Sequence, residues 1–523
     1  MPNGRSRFSR NLVHRNSLRP RKSWRSVRRR LIDPVMTSAD TRPDSHLAYV
    51  PVITMTHDRS QHAGFCKITN RRVLFRTVAA FILAAVCIER LMSQSLAADA
   101  APSRGPNIVL IMADDFGFEC VTANGGESYR TPNLDQLAAG GMRFEHCHVQ
   151  PLCTPTRSQL MTGLSNVRNY VDFGVLTRDQ RTFGHLLQEA GYVTGICGKW
   201  QLGHELDSPQ HFGFEESYLW QHTRRPPRYA NPGLEHNGQA LDFNSGEYGP
   251  ELVNKFALDF IDRHRDEPFF LYYPMILTHD PYQPTPDSDD WDPAAEGEKV
   301  HVAKKHFADM TAYMDKMVGR VVSKLKEQKL QDKTLLIFLG DNGTGRGTVS
   351  QFKGQEYKGG KGQTDARGTH VPLIVSWPGT VPAGKVNGDL ISSCDFLPTL
   401  CDAARISKPD LTDGISFYPQ LRGEAGTPRE SIYTWYWPRP AEVLKECAFN
   451  HTGKLYRDGT YFDLTTDPFE EQPLDRSAWS AEQHSNARKL QATLSSFDSA
   501  RSQDLPKPNT KESGKKRKAN APE

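Results

Sequence analysis

A thiol, a turn-setting proline and a fixed positive charge follow one another at two-residue spacing in Cys153-Thr154-Pro155-Thr156-Arg157-Ser158. Proline suits the first turn of a helix, where its missing N–H costs nothing. Cys153 is therefore expected at or just before a helix N-terminus, where the helix dipole and Arg157 both favour an anion. Two further pairs stand far away in sequence, Asp114-Asp115 and Asp341-Asn342, each close behind an apolar run. Adjacent carboxylates at the end of a buried strand are costly unless a cation neutralises them. Together these four side chains are the hard oxygen donors that Ca²⁺ or Mg²⁺ takes. Lys199 and Lys361 add positive charge, the latter within Gly360-Lys361-Gly362, where glycines let a backbone approach an anion closely. His279, in Thr278-His279-Asp280, adds a side chain of the type that exchanges protons near neutrality. Cleavage of an oxyacid ester needs such a set: a nucleophile, charge on the non-bridging oxygens and an acid for the leaving oxygen.

The elements that must position these groups are legible as patterns. Asn107 to Ala113 and Leu335 to Leu339 are apolar runs of strand length, read as strands buried on both faces. Thr131-Pro132 is expected to cap a short helix over Leu134, Leu137 and Ala138. Thr182 is expected to start another over Phe183, Leu186, Leu187 and Ala190. The strand Tyr192 to Cys197 then delivers Lys199, and the strand Phe269 to Ile276 delivers His279. Between them, residues 207–249 are aromatic, proline-rich and weakly periodic, as expected of substrate-facing loops. Met310, Met314 and Met317 recur at helical spacing among Phe307, Val318, Val321 and Leu325, the stripe of a core-facing helix. Strands alternating with helices predict an α/β fold with a large, mostly parallel mixed sheet flanked by helices, and every polar cluster falls after a strand, where such sheets bind ligands. From about Arg429 the texture changes to short aromatic strands, which predicts a small antiparallel-sheet subdomain at the C-terminal end. The expected domains are 104–427 for the catalytic part and 428–480 for this subdomain.

Cys153-x-Pro155-x-Arg157 followed by Ser158 and Thr162-Gly163 resembles the signature of the formylglycine-dependent (type I) sulfatases of the alkaline phosphatase superfamily. The resemblance runs from about Asn107 to about Leu474. It implies that Cys153 is oxidised to 3-oxoalanine (formylglycine) by a maturation enzyme, and that its hydrate attacks sulfur. It also implies that Asp114, Asp115, Asp341 and Asn342, with an oxygen of the modified Cys153, hold calcium, ahead of magnesium. Arg157 would hold the hydrate, Lys199 and Lys361 the sulfonyl oxygens, and His279 would act as acid. Two departures stand out. Where the family commonly has Gly-Lys-Trp-His-Leu-Gly, this chain has Gln201; where many members have Glu-Gly-Gly-x-Arg-Val-Pro, it reads Ala366-Arg367-Gly368-Thr369-His370-Val371-Pro372. An amide is no base at neutral pH, so Gln201 is expected to hydrogen-bond, and His204, three residues on, is the candidate for the missing base. The expected substrate is a sulfated sugar, a polysaccharide or an aryl sulfate. The rival readings are a phosphodiesterase or phosphonate hydrolase of the same superfamily and a non-catalytic sulfated-glycan binding protein.

Composition fits an enzyme, with 37% apolar and 10% aromatic residues over 523 positions. The formal charge of +4 is concentrated at the ends: eleven Arg and Lys lie within 1–30 and five more within 511–518. Such runs read as solvated tails, so no nucleic-acid partner is expected. Residues 1–70 are a basic pre-segment, expected to be disordered, like the tail 500–523. Arg71, Arg72 and Arg76 precede a short apolar run from Val78 to Ile88, and Ser95, Ala97 and Ala98 offer a cleavage site. Residues 71–98 are therefore expected to be a signal peptide, used by an export machinery, with a periplasmic or extracellular destination.

Overall fold

The computed structural model describes residues 105–295 and 304–508. The segments read from the sequence as a pre-segment and a signal peptide, and residues 509–523 of the basic tail, lie outside the described residues. In chain order the principal elements begin with β1 (Asn107–Ala113), α1 (Pro132–Ala139), β2 (Met142–His148), α2 (Cys153–Thr162), α3 (Phe183–Glu189) and β3 (Val193–Gly198). There follow β4 (Glu216–Trp220), β5 (Gly233–His236), β6 (Gln239–Asp242), α4 (Gly249–Arg263), β7 (Phe269–Pro274), α5 (His306–Glu327) and β8 (Thr334–Gly340). Next come β9 (Val349–Phe352), β10 (Gln355–Lys358), β11 (His370–Ser376), β12 (Lys385–Ser392) and α6 (Phe396–Ala404). Last are β13 (Ile432–Tyr436), β14 (Lys445–Phe449), β15 (Gly453–Tyr456), β16 (Tyr461–Asp463) and α7 (Ala481–Ser495).

Ten strands form one sheet in the order β12-β2-β11-β8-β1-β7-β3-β4-β5-β6. β8, β1, β7, β3 and β4 run parallel, and β11 is antiparallel to both its neighbours. The central strands are apolar throughout because both their faces are covered. In β1, Ile108, Leu110 and Met112 enter one core and Val109, Ile111 and Ala113 the other; in β8, Leu335, Ile337 and Leu339 go one way and Leu336 and Phe338 the other. The methionines of α5 are core, as their spacing predicts: Met310, Met314 and Met317 are all 0% exposed.

Thr182 begins α3 with a reciprocal capping box to His185. Thr131 does not act as expected: its side chain makes no cap bond at α1. Asp315 of α5 takes that place, accepting from the backbone N–H groups of Asn133 at 3.0 Å and Leu134 at 2.9 Å. A second, four-stranded antiparallel sheet runs β13-β14-β15-β16. Helix α7, beyond the boundary at 480 read from the sequence, packs Ala487, Leu490 and Leu494 into one core with Tyr433, Trp435 and Tyr461. All seven cysteines among the described residues are free and buried. No helix among them is long and apolar enough to cross a membrane.

Candidate active site

Strand register brings the acidic pairs together. β1 and β8 are parallel neighbours in which Ala113 pairs with Gly340, so Asp114-Asp115 and Asp341-Asn342 leave the sheet side by side although 226 positions separate Asp115 from Asp341. The Asp115 N–H donates to Asp341 Oδ1 at 3.0 Å, and Asn342 Nδ2 donates to Asp115 Oδ1 at 2.9 Å. All four residues are at most 1% exposed. β3, one strand beyond β7, ends at Gly198, whose φ of 120° and lack of a Cβ let it lie against Pro274: a Cβ there would stand 2.0 Å from the Pro274 carbonyl oxygen. Lys199 is thereby turned inward, and its Nζ donates to both oxygens of Asp114, at 2.9 and 2.7 Å. Lys361 Nζ donates to Asp115 Oδ2 at 2.6 Å, and Arg157 donates to Asp341 Oδ2 at 2.9 Å. Each carboxylate thus has its own cation.

Cys153 opens α2, with Pro155 in the first turn, and Arg157 follows one turn later on the same face. The helix is buried along its whole length and stops at Gly163 in the left-handed conformation. Arg157 also donates to the Lys199 carbonyl at 2.9 Å, while its Nε is buried with no hydrogen-bond partner. Cys153 Sγ donates to Gln201 Oε1 at 3.3 Å. His279 sits just past β7, its Nδ1 against the Asp280 carbonyl and its Nε2 3.1 Å from Lys361 Nζ.

Electrostatics follow from burial and this pairing. Burial alone pushes the Asp114 carboxyl up, but Lys199, His279, Arg157 and Lys361 outweigh it and hold it well below the usual carboxylate range. Asp341 is pushed up, by burial and by the Asp114 charge beside it, with Arg157 opposing. Burial works to lower Lys361, and Asp115 reverses that, raising it. The Cys153 thiol is raised by burial, with Lys199 opposing only in part. It is therefore a protonated thiol and not an activated thiolate.

A sequence model of the sulfatase family matches residues 106–406, more than half of the chain. Human arylsulfatase A is 32% identical over 425 residues, covering 72% of this chain and 80% of that protein.

The chain belongs to the sulfatase family.

A second model, described as N-sulphoglucosamine sulphohydrolase, C-terminal, matches residues 365–494 and so takes in α7. The N-acetylgalactosamine-6-sulfatase of Canis lupus familiaris is 30% identical over 380 residues, covering 66% of this chain and 71% of that one. Among solved structures, the crystal structure of Ps i-CgsB in complex with k-i-k-neocarrahexaose superposes with a TM-score of 0.62 at 26% identity, covering 75% of this chain and 93% of the other. The sulfatase site of this chain brings together every residue singled out in the sequence for catalysis or for the cation, with one exception. His204, proposed there as a base, is exposed, and its Nδ1 faces the His222 carbonyl at 3.0 Å. Gly203 turns the chain there, and no hydrogen bond of His204 reaches Cys153 or Gln201. Of the glycines beside Lys361, Gly360 has a packing role, since a Cβ there would stand 2.4 Å from the Arg367 Cβ.

Sequence patterns gave no warning of two supports. Tyr229, from the aromatic loop region, donates from its hydroxyl to the carbonyls of Ile276 (3.0 Å) and His279, holding the His279 backbone. Thr344 accepts from the Gly117 N–H at 3.1 Å and donates to buried Glu119 at 2.6 Å, bracing the turns behind both acidic pairs.

The donor set fits a hard divalent cation. Its oxygens converge from two strand ends, and Asn342 Oδ1 is a buried acceptor with no hydrogen-bond partner. Asp114, Asp115 and His279 place ligand atoms within 4.8 Å of one another. The three cations on the carboxylates supply the neutralisation that a bound ion would share.

Proposed function

We propose that this sulfatase hydrolyses the sulfate ester of a sulfated saccharide to an alcohol and inorganic sulfate, using formylglycine made from Cys153. The observation that carries the reading is the placement of Cys153 at a helix N-terminus within electrostatic reach of Lys199, Asp341, Asp114 and Lys361, with Sγ on Gln201. A buried, protonated thiol is a poor nucleophile; an aldehyde hydrate at the same carbon carries two hydroxyls. Cys153 is 2% exposed, which favours oxidation by a maturation enzyme before the chain folds.

One hydroxyl of the hydrate attacks sulfur while the bond from sulfur to the alcohol oxygen breaks. Lys199 and Lys361 stabilise the charge on the sulfonyl oxygens, and Arg157, with its free Nε donor, orients the hydrate. His279 donates from Nδ1 to the Asp280 carbonyl, which leaves Nε2, 3.1 Å from Lys361 Nζ, as the nitrogen that must first take up a proton, giving the imidazolium, before passing it to the departing oxygen. The second hydroxyl then loses its proton, the carbon–oxygen bond to the sulfate breaks, and aldehyde and sulfate result; water restores the hydrate. Asp114, Asp115, Asp341 and Asn342 would hold a divalent cation, calcium by the family resemblance, which when bound supplies Lewis-acid polarisation of a sulfate oxygen.

A saccharide substrate is supported by the names of two relatives, an N-acetylgalactosamine-6-sulfatase and a structure in complex with a neocarrahexaose. It is also supported by Arg225, which is exposed and lies beside Gly174, itself hydrogen-bonded to Thr154 next to the nucleophile. Arg225 makes no ion pair with any described residue and is free to meet a further anionic group of a sulfated chain. Export through the signal peptide at 71–98 completes the reading. Peptide mass spectrometry of active enzyme should show the thiol-to-aldehyde conversion at Cys153, and a panel of sulfated oligosaccharides should be turned over faster than aryl sulfates. Full activity in protein carrying only the free thiol would overturn the mechanism.

A further inference from the structure

Away from the catalytic residues, three imidazoles share one face where β2 meets β11. His146 and His148 are two apart on β2, hence on the same side, and His370 of β11 pairs with His148 across the strands. One ring nitrogen of each lies within 4.8 Å of the others. A fourth ring, His451, meets His146 edge-on at 4.6 Å between centroids. All four line a cavity of about 180 Å³ between this edge of the main sheet and the smaller sheet.

The hydrogen bonds around His148 and His370 set their protons. His370 Nε2 lies 2.7 Å from the Glu145 carbonyl oxygen, which can only accept, so Nε2 carries the hydrogen and Nδ1 keeps its lone pair. The Thr369 hydroxyl spends its hydrogen on the Asp365 carbonyl at 3.0 Å. It therefore accepts from His148 Nδ1 at 3.3 Å, and His148 Nε2 keeps its lone pair. A ring donating one N–H to a carbonyl or hydroxyl and offering the other nitrogen is how metal-bound histidines are held. Two lysines stand near the rings: Lys454, which donates to the Thr364 carbonyl and to Glu470 at 2.6 Å, and Lys353, whose Nζ lies 5.2 Å from the Phe352 ring centroid.

We propose that His146, His148 and His370 form a second metal site, for a borderline-soft divalent cation such as Zn²⁺, with His451 or water completing four-coordination. Imidazole donors suit zinc, copper or nickel, whereas the all-oxygen set at the catalytic residues suits calcium or magnesium. The two sites therefore select different ions. His370 lies stacked between His148, at an interplanar angle of 16°, and Phe118, at 4.0 Å between centroids, so the proposed site requires the imidazoles to rotate about their side-chain bonds.

The test is a Co²⁺ titration of the untagged full chain after chelation, followed by visible absorption, with Zn²⁺ as competitor. Expected is one Co²⁺ per chain with the strong bands of a four-coordinate nitrogen site, displaced by Zn²⁺. His146→Ala should abolish the bands while sulfatase turnover is retained, and Asp341→Ala should leave them intact. Thr369→Val, which releases the His148 tautomer, should weaken binding about 10–100-fold. X-ray absorption of the wild-type Zn²⁺ protein should show nitrogen ligation, a reading that needs no variant to fold. Only weak six-coordinate bands, or strong bands that survive His146→Ala, would mean that the rings are a packing stack and overturn the proposal.

Discussion

Gln201 stands where its family commonly has histidine, and its backbone, with φ of 58°, carries the side chain to the nucleophile. Its amide oxygen accepts from Cys153, so it can position a hydrate hydroxyl but cannot take up a proton. Loss of one neutral hydrogen bond costs about 0.5–1.5 kcal/mol, roughly tenfold at most, against roughly 10²–10⁴ for a positioned base. Gln201→Ala should therefore slow kcat about two- to tenfold, and His204→Ala should leave it near wild type; a hundredfold loss in His204→Ala would contradict the geometry. Glu119 offers a second residue-scale test, through pH. It is 1% exposed, its Oε2 has no hydrogen-bond partner, and burial raises its pKa against the Thr344 hydrogen bond. Between the unfolded value, about 4.3, and the raised folded one, the folded chain holds a proton that the unfolded chain has released. Stability attributable to Glu119 therefore falls as pH rises through that window. Glu119→Gln should flatten this slope and stabilise the protein at pH 7 by about 1–3 kcal/mol, the cost of a buried unsatisfied group. Urea midpoints at pH 4 and pH 7 measure both effects.

At the scale of elements, most starts and stops are local, but α1 borrows its cap. Thr131 is the right residue type in the right place, yet its hydroxyl is engaged by Thr122 and Asp135. Asp315, in the middle of α5, reaches two α1 backbone N–H groups and the Asn133 amide at 2.7 Å. One carboxylate thereby caps α1 and fastens it to α5. Asp315→Ala should cost about 1–3 kcal/mol, from lost charge-assisted bonds and orphaned donors, and Thr131→Val should cost less. Chemical denaturation of the two variants gives the comparison; equal losses would return the cap to Thr131.

For the whole molecule, the small sheet leans on the catalytic part close to the nucleophile's helix. Val167 and Tyr170, soon after α2, share a core with Trp435, Leu490 and Leu494, and Arg501 donates to the carbonyls of both at 3.1 and 3.2 Å. Leu490 and Leu494 are each 0% exposed, worth about 1.5–3 kcal/mol apiece. A chain ending at 480 should lose its cooperative thermal transition or drop sharply in Tm, with activity, whereas one ending at 508 should match the full chain in both. Unchanged Tm and turnover in the chain ending at 480 would show the unit to be complete without α7.

Local patterns in the sequence determined a good deal of this protein. Apolar runs specified β1 and β8 as strands covered on both faces, methionine spacing specified α5, and the Cys153-x-Pro155-x-Arg157 pattern carried the resemblance to the sulfatases. These are legible because strand and helix periods, turn residues and donor types are carried within a few positions. Only the tertiary structure decided the rest: that Ala113 pairs with Gly340 and so joins the acidic pairs, that His204 faces the His222 carbonyl, that Asp315 caps α1, and that three histidines meet across β2 and β11. Each depends on segments brought together by strand order and register or by the path of a turn, and periodicity states which face is buried but not what lies against it.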